Sequence, residues 1–354
     1  MSHKATCTAP SNIAFVKYWG ARDLDRVVPE NPSISMTLRS CVTRTTVEHS
    51  DEGGDDIVLW RPESVDDDAP LVLEEPPPSF AERVHRHLDH LRRRFGIEGR
   101  LRVATANSFP AAAGIASSAS GFAALTLAVS AAVGERLDVA TASTLARESG
   151  SGSASRSVVG GYVQWPAAWP SDDAVPVADE EQGGSGGGFA VQLAGADHWD
   201  LRDVIAVVET GAKETSSLDG HRRARTSPYF AERLLRLPRR LNTVRKAIET
   251  RDFSTLGPEI ESEAIDLHCM AMTSTPPIYY WRPGTLEVLA AVRSLRADGV
   301  PAFSTLDAGA NVHVICEPHH EEAVVARLDA IDCVRRVLRD GVGPGPAASG
   351  EHLF

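Results

Sequence analysis

Lysine is scarce in this sequence. The 354-residue chain has 36 Lys and Arg residues, of which only four are lysine, at positions 4, 17, 213 and 246. Arginine therefore fills nearly every place where an ordinary surface cation would stand. A lysine in this chain needs a specific reason, such as a requirement for a compact ammonium group in place of the planar guanidinium.

The chain also lacks an excess of positive charge. Its 36 Lys and Arg residues stand against 48 Asp and Glu residues, which gives a net charge of −12 at pH 7. Nucleic acids and anionic membranes attract basic proteins, so this balance argues against both as partners. With 42% hydrophobic and 24% charged residues, the composition is that of a globular protein of two domains or one large domain.

Long hydrophobic runs are absent and cysteine is sparse. The longest stretch of low polarity, residues 121–133, is shorter than the roughly 20 residues that a membrane-spanning helix needs. The first residues lack the pattern of a signal peptide. The five cysteines show neither metal-ligand nor disulfide spacing, so we expect a reducing, cytoplasmic setting.

Hydrophobic spacing predicts a strand-rich first part of the chain. Phe80, Val84, Leu88, Leu91 and Phe95 recur every three or four residues, which predicts one amphipathic helix. Strands are expected at residues 33–38, 42–48, 57–60 and 101–106. Helices of small residues should follow at 111–132 and 140–148. The acidic, Gly- and Ser-rich segment 171–188 is the best candidate for a flexible boundary.

Helices and short strands alternate in the remainder. We expect strands at 203–209, 302–306, 312–316 and 333–339, and helices at 229–250, 259–270, 285–296 and 320–331. This α+β order suits a ferredoxin-like sandwich. The predicted division is an N-terminal domain (1–188), a C-terminal domain (189–345) and a flexible tail (346–354).

A loop of small residues, 112–121, precedes an apolar helix. Backbone amides can approach an anion there, and the helix N-terminus adds a partial positive charge. Ser117 and Ser118 offer hydroxyl groups to phosphate or Mg²⁺. The pattern of a P-loop is absent. A tightly packed helix that simply needs small residues is the alternative interpretation.

Three further segments contain candidate functional residues. Arg156 ends a Gly/Ser loop and could clamp a carboxylate or a phosphate, although a surface turn has the same composition. Lys17 lies in an alternating segment, 12–20, that is typical of a half-buried strand. Asp307 precedes Ala-Gly, where turn chemistry is the ordinary explanation. Lys213 begins a polar loop, 213–217.

Six segments together resemble the GHMP superfamily of small-molecule kinases, and within it the ATP-dependent mevalonate diphosphate decarboxylases. They are residues 9–20, 31–38, 107–119, 150–161, 213–227 and 307–309, in the order found in that family. The resemblance implies a two-domain GHMP fold, with an N-terminal domain like ribosomal protein S5 domain 2 and a ferredoxin-like C-terminal domain. It also implies an active site in the cleft between them, ATP and Mg²⁺ as cofactors, and a homodimer.

The resemblance further implies roles for individual residues. Asp307 would accept the proton of the substrate 3-hydroxyl, Lys17 would keep that acid ionised, and Arg156 would hold the substrate carboxylate. The substrate-binding residues would be Asn12, Tyr18, Arg83, Ser151, Ser153, Arg156 and Ser217. The ATP-binding residues would be Asn107, Ala113, Gly114, Ala116, Ser117 and Ser118, with Ser118 also a ligand of Mg²⁺.

Two positions depart from the family pattern. Many relatives read K-Y-W-G-K, and the last of these lysines is Ala21 here; some bacterial relatives have arginine in place of Leu218. Each lost charge-assisted hydrogen bond removes about 1.5–3 kcal/mol. We therefore expect mevalonate 5-phosphate as the substrate and isopentenyl phosphate as the product, within isoprenoid biosynthesis. Mevalonate 5-diphosphate, giving isopentenyl diphosphate, is the alternative.

Two other activities fit the superfamily. A GHMP kinase would phosphorylate its substrate and stop, but the D-A-G-A-N sequence at Asp307 argues against a kinase. A catalytically inactive regulatory member is expected to lack Lys17, Arg156 or Asp307, and all three are present.

Overall fold

The computed structural model describes residues 3–61, 72–110, 115–166, 188–211 and 213–354. The strands are β1 (His3–Val16), β2 (Ala21–Asp23), β3 (Val28–Pro29), β4 (Ser33–Ser50), β5 (Ile57–Trp60), β6 (Arg100–Asn107), β7 (Tyr162–Trp165), β8 (Val191–Ala194), β9 (Arg202–Val207), β10 (Ala302–Thr305), β11 (Val312–Cys316), β12 (Arg336–Gly341) and β13 (Ala347–Ser349). The helices are α1 (Pro78–Phe95), α2 (Ser117–Ala132), α3 (Val139–Arg147), α4 (Ser217–Arg223), α5 (Phe230–Thr250), α6 (Phe253–Met272), α7 (Pro283–Ala297) and α8 (Glu321–Asp329).

The first sheet is built around two long strands, β1 and β4. They pair antiparallel along most of their length, and the other edge of β4 pairs first with β7 and then with β6. β13 lies beside β1, β5 runs parallel to β6, and β8 extends the sheet beyond β7. The apolar faces of α1, α2 and α3 cover this sheet with residues such as Leu88, Phe122 and Leu145. The small residues of α2 let it lie close to the strands.

The second sheet is antiparallel, in the order β10-β11-β9-β12. Successive residues of a strand point to opposite faces. Val312 and Val314 pack with α7 and α8 on one face, whereas Ile205 and Ile315 face a core that includes residues of β1, β4, α5 and α6. The two sheets therefore share a hydrophobic core, and the end of β1 lies where they meet.

The predicted strands at 33–38 and 42–48 are one continuous strand, β4. The buried carboxylate of Asp340, at the end of β12, accepts hydrogen bonds from the backbone amides of Arg39, Ser40 and Cys41 at 2.7, 2.9 and 2.7 Å. These amides lie between the part of β4 that pairs with β7 and the part that pairs with β6, and the carboxylate gives them the hydrogen-bond partners that neither strand provides there. The same carboxylate joins the two sheets.

Two helices begin elsewhere than predicted, and one was missed. α2 begins at Ser117 after Ala116, which has a left-handed φ of 46°. α6 begins at Phe253 rather than 259, because the Asp252 side chain accepts a hydrogen bond from the Thr255 amide at 3.1 Å. The missed helix is α4, which begins at Ser217, the last residue of the predicted polar loop.

The predicted flexible tail, residues 346–354, is wrong. β13 pairs with β1, and Thr6 Oγ1 lies 2.7 Å from His352 Nδ1. Leu353 is buried, and its amide donates to Thr46 Oγ1 at 3.0 Å. The division at 188/189 stays a prediction, since most of segment 171–188 lies outside the described residues. β8, which follows it, belongs to the first sheet.

A buried carboxylate joins α5, α6 and the end of β1. Glu263 is fully buried, and it accepts hydrogen bonds from Arg233, from Arg240, and from the amide of Lys17 at 3.0 Å. Burial alone would raise its pKa, but the two guanidinium groups outweigh burial and lower it. Arg233 also donates to the Lys17 carbonyl at 2.8 Å. This cluster, Glu263 with Arg233 and Arg240, thus holds the residue that follows β1.

Replacing Glu263 by Gln would leave two buried guanidinium groups without this carboxylate. We expect the free energy of unfolding at pH 7 to fall by about 3–5 kcal/mol, measured by urea denaturation. The pKa of Glu263 is lower in the folded state than in the unfolded state, where it is about 4.3. The stabilisation by this carboxylate is therefore complete above the unfolded-state pKa and is lost as the pH falls through the folded-state pKa. The difference between wild type and E263Q should therefore narrow in acid. Glu232→Gln, in an exposed pair with Arg236, is the control. Equal stabilities at pH 7 would contradict the expectation.

Candidate active site

A cleft of about 290 Å³ lies where the two sheets meet. Its lining includes the residues after β1, the start of α2 and the Gly/Ser turn at 149–153. Further lining residues come from α4 and from the turn between β10 and β11. The cleft therefore collects side chains from segments that are far apart in the sequence.

Lys17 and Asp307 form an ion pair in the cleft. Lys17 Nζ donates to Asp307 Oδ1 at 2.8 Å and to the Ala14 carbonyl at 2.6 Å. The lysine side chain is 1% exposed, whereas that of Asp307 is 24% exposed. Burial would raise the pKa of Asp307, but the neighbouring ammonium group outweighs burial and lowers it. Asp307 is thus a carboxylate at neutral pH that remains accessible from the cleft.

Arg156 supplies a second, buried positive charge. Its Nε and Nη2 donate to Asn12 Oδ1 at 3.2 and 3.1 Å, and its Nη1 donates to Ser33 Oγ at 2.6 Å. Burial lowers the pKa of Arg156 to about 10, so the guanidinium group is charged at neutral pH. Its partners in these bonds are neutral oxygens, which fix its orientation without cancelling its charge.

The N-terminus of α2 opens onto the cleft. Ser117 and Ser118 form its first turn, where backbone amides have no partner within the helix and the dipole is positive. Ser118 Oγ lies 3.2 Å from Ser151 Oγ, which lies 3.4 Å from Ser153 Oγ. This combination of amides and hydroxyl groups suits the phosphates of a nucleotide.

Gly152 lets the Gly/Ser turn approach the rings of Tyr18 and Trp165 closely. A Cβ atom at this position would lie 2.6 Å from the Tyr18 ring and 2.9 Å from the Trp165 ring. The rings of Tyr18 and Trp165 pack edge to face, with centroids 5.0 Å apart. A larger residue at 152 would therefore displace Tyr18 or the neighbouring serine hydroxyl groups.

A metal ion would have few protein ligands in this cleft. Within the described ranges, no group of three or more His, Cys, Asp or Glu side chains is arranged to hold a metal. Mg²⁺ commonly keeps several waters and binds through substrate phosphates. The hydroxyl of Ser118, at the start of α2, fits that mode of binding.

Helix α4 brings further side chains into the cleft. Ser216 caps it by accepting a hydrogen bond from the Asp219 amide at 3.1 Å, so a serine followed three residues later by an acid was the available signal for this helix. Ser217, Leu218 and His221 line the cleft. A Cβ at Gly220 would lie 2.2 Å from the Trp19 ring, so glycine permits this close packing.

Most of the predicted site residues meet in this cleft. It is lined by Lys17, Tyr18, Arg83, Ala116, Ser117, Ser118, Ser151, Ser153, Arg156, Ser217 and Asp307. Asn12 does not line it and instead holds Arg156. Asn107 does not line it either, and its Oδ1 accepts a hydrogen bond from Thr43 Oγ1 at 2.7 Å. Ala113 and Gly114 lie outside the described residues.

Several lining residues are not among those predicted from the sequence. Arg86 lies one turn after Arg83 on α1, so the helical spacing of three was a usable signal. Leu24 and Val27, between β2 and β3, had no signal of this kind. Lys213, one of the four lysines, lines the cleft. Burial lowers the pKa of Lys213, and the negative charge of Asp307 opposes this effect.

Two family models match most of the chain. The model described as the diphosphomevalonate decarboxylase-like N-terminal domain matches residues 9–175, and the mevalonate 5-diphosphate decarboxylase C-terminal domain matches residues 203–340. The two matches fall on the two parts of the fold that meet at the cleft.

Individual proteins agree with these models. The diphosphomevalonate decarboxylase of Candida albicans is 31% identical over 99% of both chains. The phosphomevalonate decarboxylase of Haloferax volcanii is 31% identical over 97% of both chains. A solved structure described as MDDEF in complex with MVAPP, AMPPCP and magnesium is 32% identical, covers 99% of both chains and has a TM-score of 0.84. The chain therefore belongs to the diphosphomevalonate decarboxylase family, and it has the two-domain α+β fold of GHMP proteins that its six matching segments predict.

Proposed function

We propose that this decarboxylase uses ATP to convert mevalonate 5-phosphate into isopentenyl phosphate, with release of ADP, phosphate and CO₂. The observation that supports the chemistry is the exposed edge of the Lys17–Asp307 ion pair in the same cleft as the buried guanidinium group of Arg156. An ionised acid can accept a proton from a hydroxyl group, and the guanidinium group can hold a carboxylate.

The first step transfers a phosphoryl group to the 3-hydroxyl of the substrate. Asp307 orients this hydroxyl and accepts its proton while the oxygen bonds to the γ-phosphorus and the bond to ADP breaks. Phosphoryl transfer has a loose transition state that requires positioning more than a strong base, so a carboxylate with a lowered pKa suffices. Lys17 keeps Asp307 ionised and contributes positive charge beside the transferred group.

The second step breaks two bonds. The C3–O bond to the new phosphate cleaves with its electron pair on oxygen, and the electrons of the bond between the carboxylate and C2 form the C2=C3 double bond, so the carboxylate leaves as CO₂. Arg156 holds the carboxylate in place through these events. Because Asn12 and Ser33 fix the guanidinium group, the carboxylate can be aligned with the breaking C3–O bond.

Nucleotide binding is assigned to the start of α2. Ser117 and Ser118 present amides and hydroxyl groups there, and Ala116 precedes them without a bulky side chain. The solved complex with AMPPCP and magnesium supports ATP and Mg²⁺ as the cofactors of this chain. Bound Mg²⁺ would neutralise phosphate charge, with Ser118 as its protein ligand.

The choice of the monophosphate rests on two substituted positions, Ala21 and Leu218. Many relatives have lysine in place of Ala21, and some bacterial relatives have arginine in place of Leu218. Leu218, Leu24 and Val27 line the cleft with apolar side chains. Arg83 remains, with its guanidinium group 5.1 Å from the centre of the Phe122 ring. The name of the Haloferax volcanii relative supports a monophosphate substrate, and that of the Candida albicans relative supports the diphosphate alternative.

The other expectations from the sequence stay predictions. Within the described ranges no helix is both long and apolar enough to cross a membrane. A homodimer, a cytoplasmic location and the absence of nucleic-acid partners are proposed on composition and on the family resemblance alone.

Steady-state kinetics with each ester, ATP and Mg²⁺ test the function. We expect kcat/KM for mevalonate 5-phosphate to exceed that for the diphosphate at least about tenfold, since one missing charge-assisted bond has that effect. CO₂ release should equal ADP formation, and Asp307→Asn should abolish both. Ala21→Lys should move the ratio of kcat/KM values toward the diphosphate. A wild type that prefers the diphosphate contradicts the proposed substrate, and ADP without CO₂ indicates a kinase.

Lys17→Met tests how Asp307 is kept ionised. The burial of Asp307 raises its pKa, and the ammonium group of Lys17 lowers it. Without the ammonium group the pKa of Asp307 should therefore rise. The acidic limb of the kcat/KM profile against pH should therefore move to higher pH, with kcat reduced about a hundredfold. Lys246→Met, at an exposed lysine of α5, is the matched control. An unmoved acidic limb in K17M would show that Lys17 does not set this pKa.

A further inference from the structure

His221 lies between the two segments in which this chain lacks a cation. It follows Leu218 by one turn of α4, and it accepts a hydrogen bond at Nδ1 from the amide of Gly20, the residue before Ala21, at 3.1 Å. Its ring stacks on Tyr18, with centroids 4.1 Å apart and planes at 27°. The imidazole therefore occupies a fixed place beside both substituted positions.

The hydrogen bond from Gly20 determines the tautomer of His221. Because Nδ1 accepts a backbone hydrogen, its lone pair is engaged and the proton of a neutral ring resides on Nε2. Burial lowers the pKa of His221 to about 3, so the ring is neutral at pH 7. Among the described residues, the bond with Gly20 is the ring's hydrogen bond, and the ring lines the cleft. Nε2–H is thus a neutral donor for a molecule bound there.

We propose that His221 is a specificity-determining residue whose Nε2–H donates a hydrogen bond to the phosphate group of the substrate. The proposal rests on the proposed function, which places a phosphate ester in this cleft. A neutral donor satisfies one phosphate oxygen without supplying the extra charge that a diphosphate requires. The stacked ring and the Gly20 bond hold this donor in place before the substrate binds, so little side-chain entropy is lost on binding.

The ring could instead serve only to pack α4 against Tyr18 and Trp19. Its centroid lies 5.0 Å from that of Trp19, so packing is substantial. Two variants separate the possibilities. Phenylalanine keeps an aromatic ring against Tyr18 and removes both the Nε2–H donor and the acceptor of the Gly20 amide. Glutamine keeps a neutral N–H donor and an oxygen acceptor and removes the ring.

The first test measures KM for mevalonate 5-phosphate. With His221→Phe we expect KM to rise about tenfold or more and kcat to change less than about threefold, because a hydrogen bond to a charged group is lost. His221→Gln should recover most of the affinity. His319→Phe, at an exposed histidine next to α8, should match the wild type. A KM for H221F within about twofold of wild type, or an H221Q variant no better than H221F, overturns the proposal.

The second test observes the ring nitrogen itself. In wild-type protein labelled with ¹⁵N-histidine, the His221 resonances are those missing from H221F. The free protein should show the Nε2–H tautomer, and saturating mevalonate 5-phosphate should move the Nε2 resonance while those of His319 stay. A raised KM in H221F without movement of this resonance overturns the proposal, since the ring would then act by packing alone.

Failure of the proposed substrate and failure of the His221 role are distinguishable. If the wild type prefers the diphosphate, the proposed substrate is wrong, and the same variants and the same titration with the diphosphate then test His221. If the wild type prefers the monophosphate while H221F keeps its KM and the Nε2 resonance stays, only the role of His221 is wrong.

Discussion

The active site depends on a buried carboxylate that is not part of it. Glu263 on α6 accepts the amide hydrogen of Lys17, and Arg233 on α5 donates to the carbonyl of the same residue. Helices α5 and α6 therefore bind both the amide and the carbonyl of Lys17. These helices follow β9 of the second sheet, whereas Lys17 directly follows β1 of the first sheet. Its side chain is left to reach Asp307. Removing the charges of Glu263 and its two arginine partners from water is unfavourable. The hydrogen bonds among them offset this penalty, and they also fix the position of the Lys17 ammonium group.

The charges in the cleft follow one pattern. Each functional charge is held by groups that fix its orientation. Arg156 is bound by the neutral oxygens of Asn12 and Ser33, so its charge is not cancelled. Asp307 has one ammonium partner and an exposed edge. Charges fixed before the substrate arrives need little reorganisation during the reaction, which is the main source of electrostatic catalysis.

Local signals in the sequence predict local structure well here. The spacing of Phe80 to Phe95 predicts α1, and the strands expected at 302–306 and 312–316 are β10 and β11. The continuity of β4 could not be predicted, because it depends on Asp340, 301 residues after Arg39. α4 could have been predicted from its serine cap. The prediction of a flexible tail rests on its place at the chain terminus, which does not show that β1 has an open edge for it to join.

In the active site too, short motifs predict individual residues, whereas contacts made only in the tertiary structure could not be predicted. Asp307, Lys17 and Arg156 stand in short motifs, and the structure brings them together. Asn12 lies in a motif too, but its contact is with Arg156 rather than with the cleft. His221 gains its place only through packing on Tyr18 and the bond from Gly20, two features of tertiary structure that no spacing in the sequence records.

The pairing of β1 with β13 has a consequence for biosynthesis. Thr6 and His352, which lie 2.7 Å apart, are separated by 346 positions, and the entire second sheet is synthesised between them. Until β13 leaves the ribosome, the outer edge of β1 has exposed backbone groups that can pair with any other strand. The first sheet is therefore completed only after translation has passed the second.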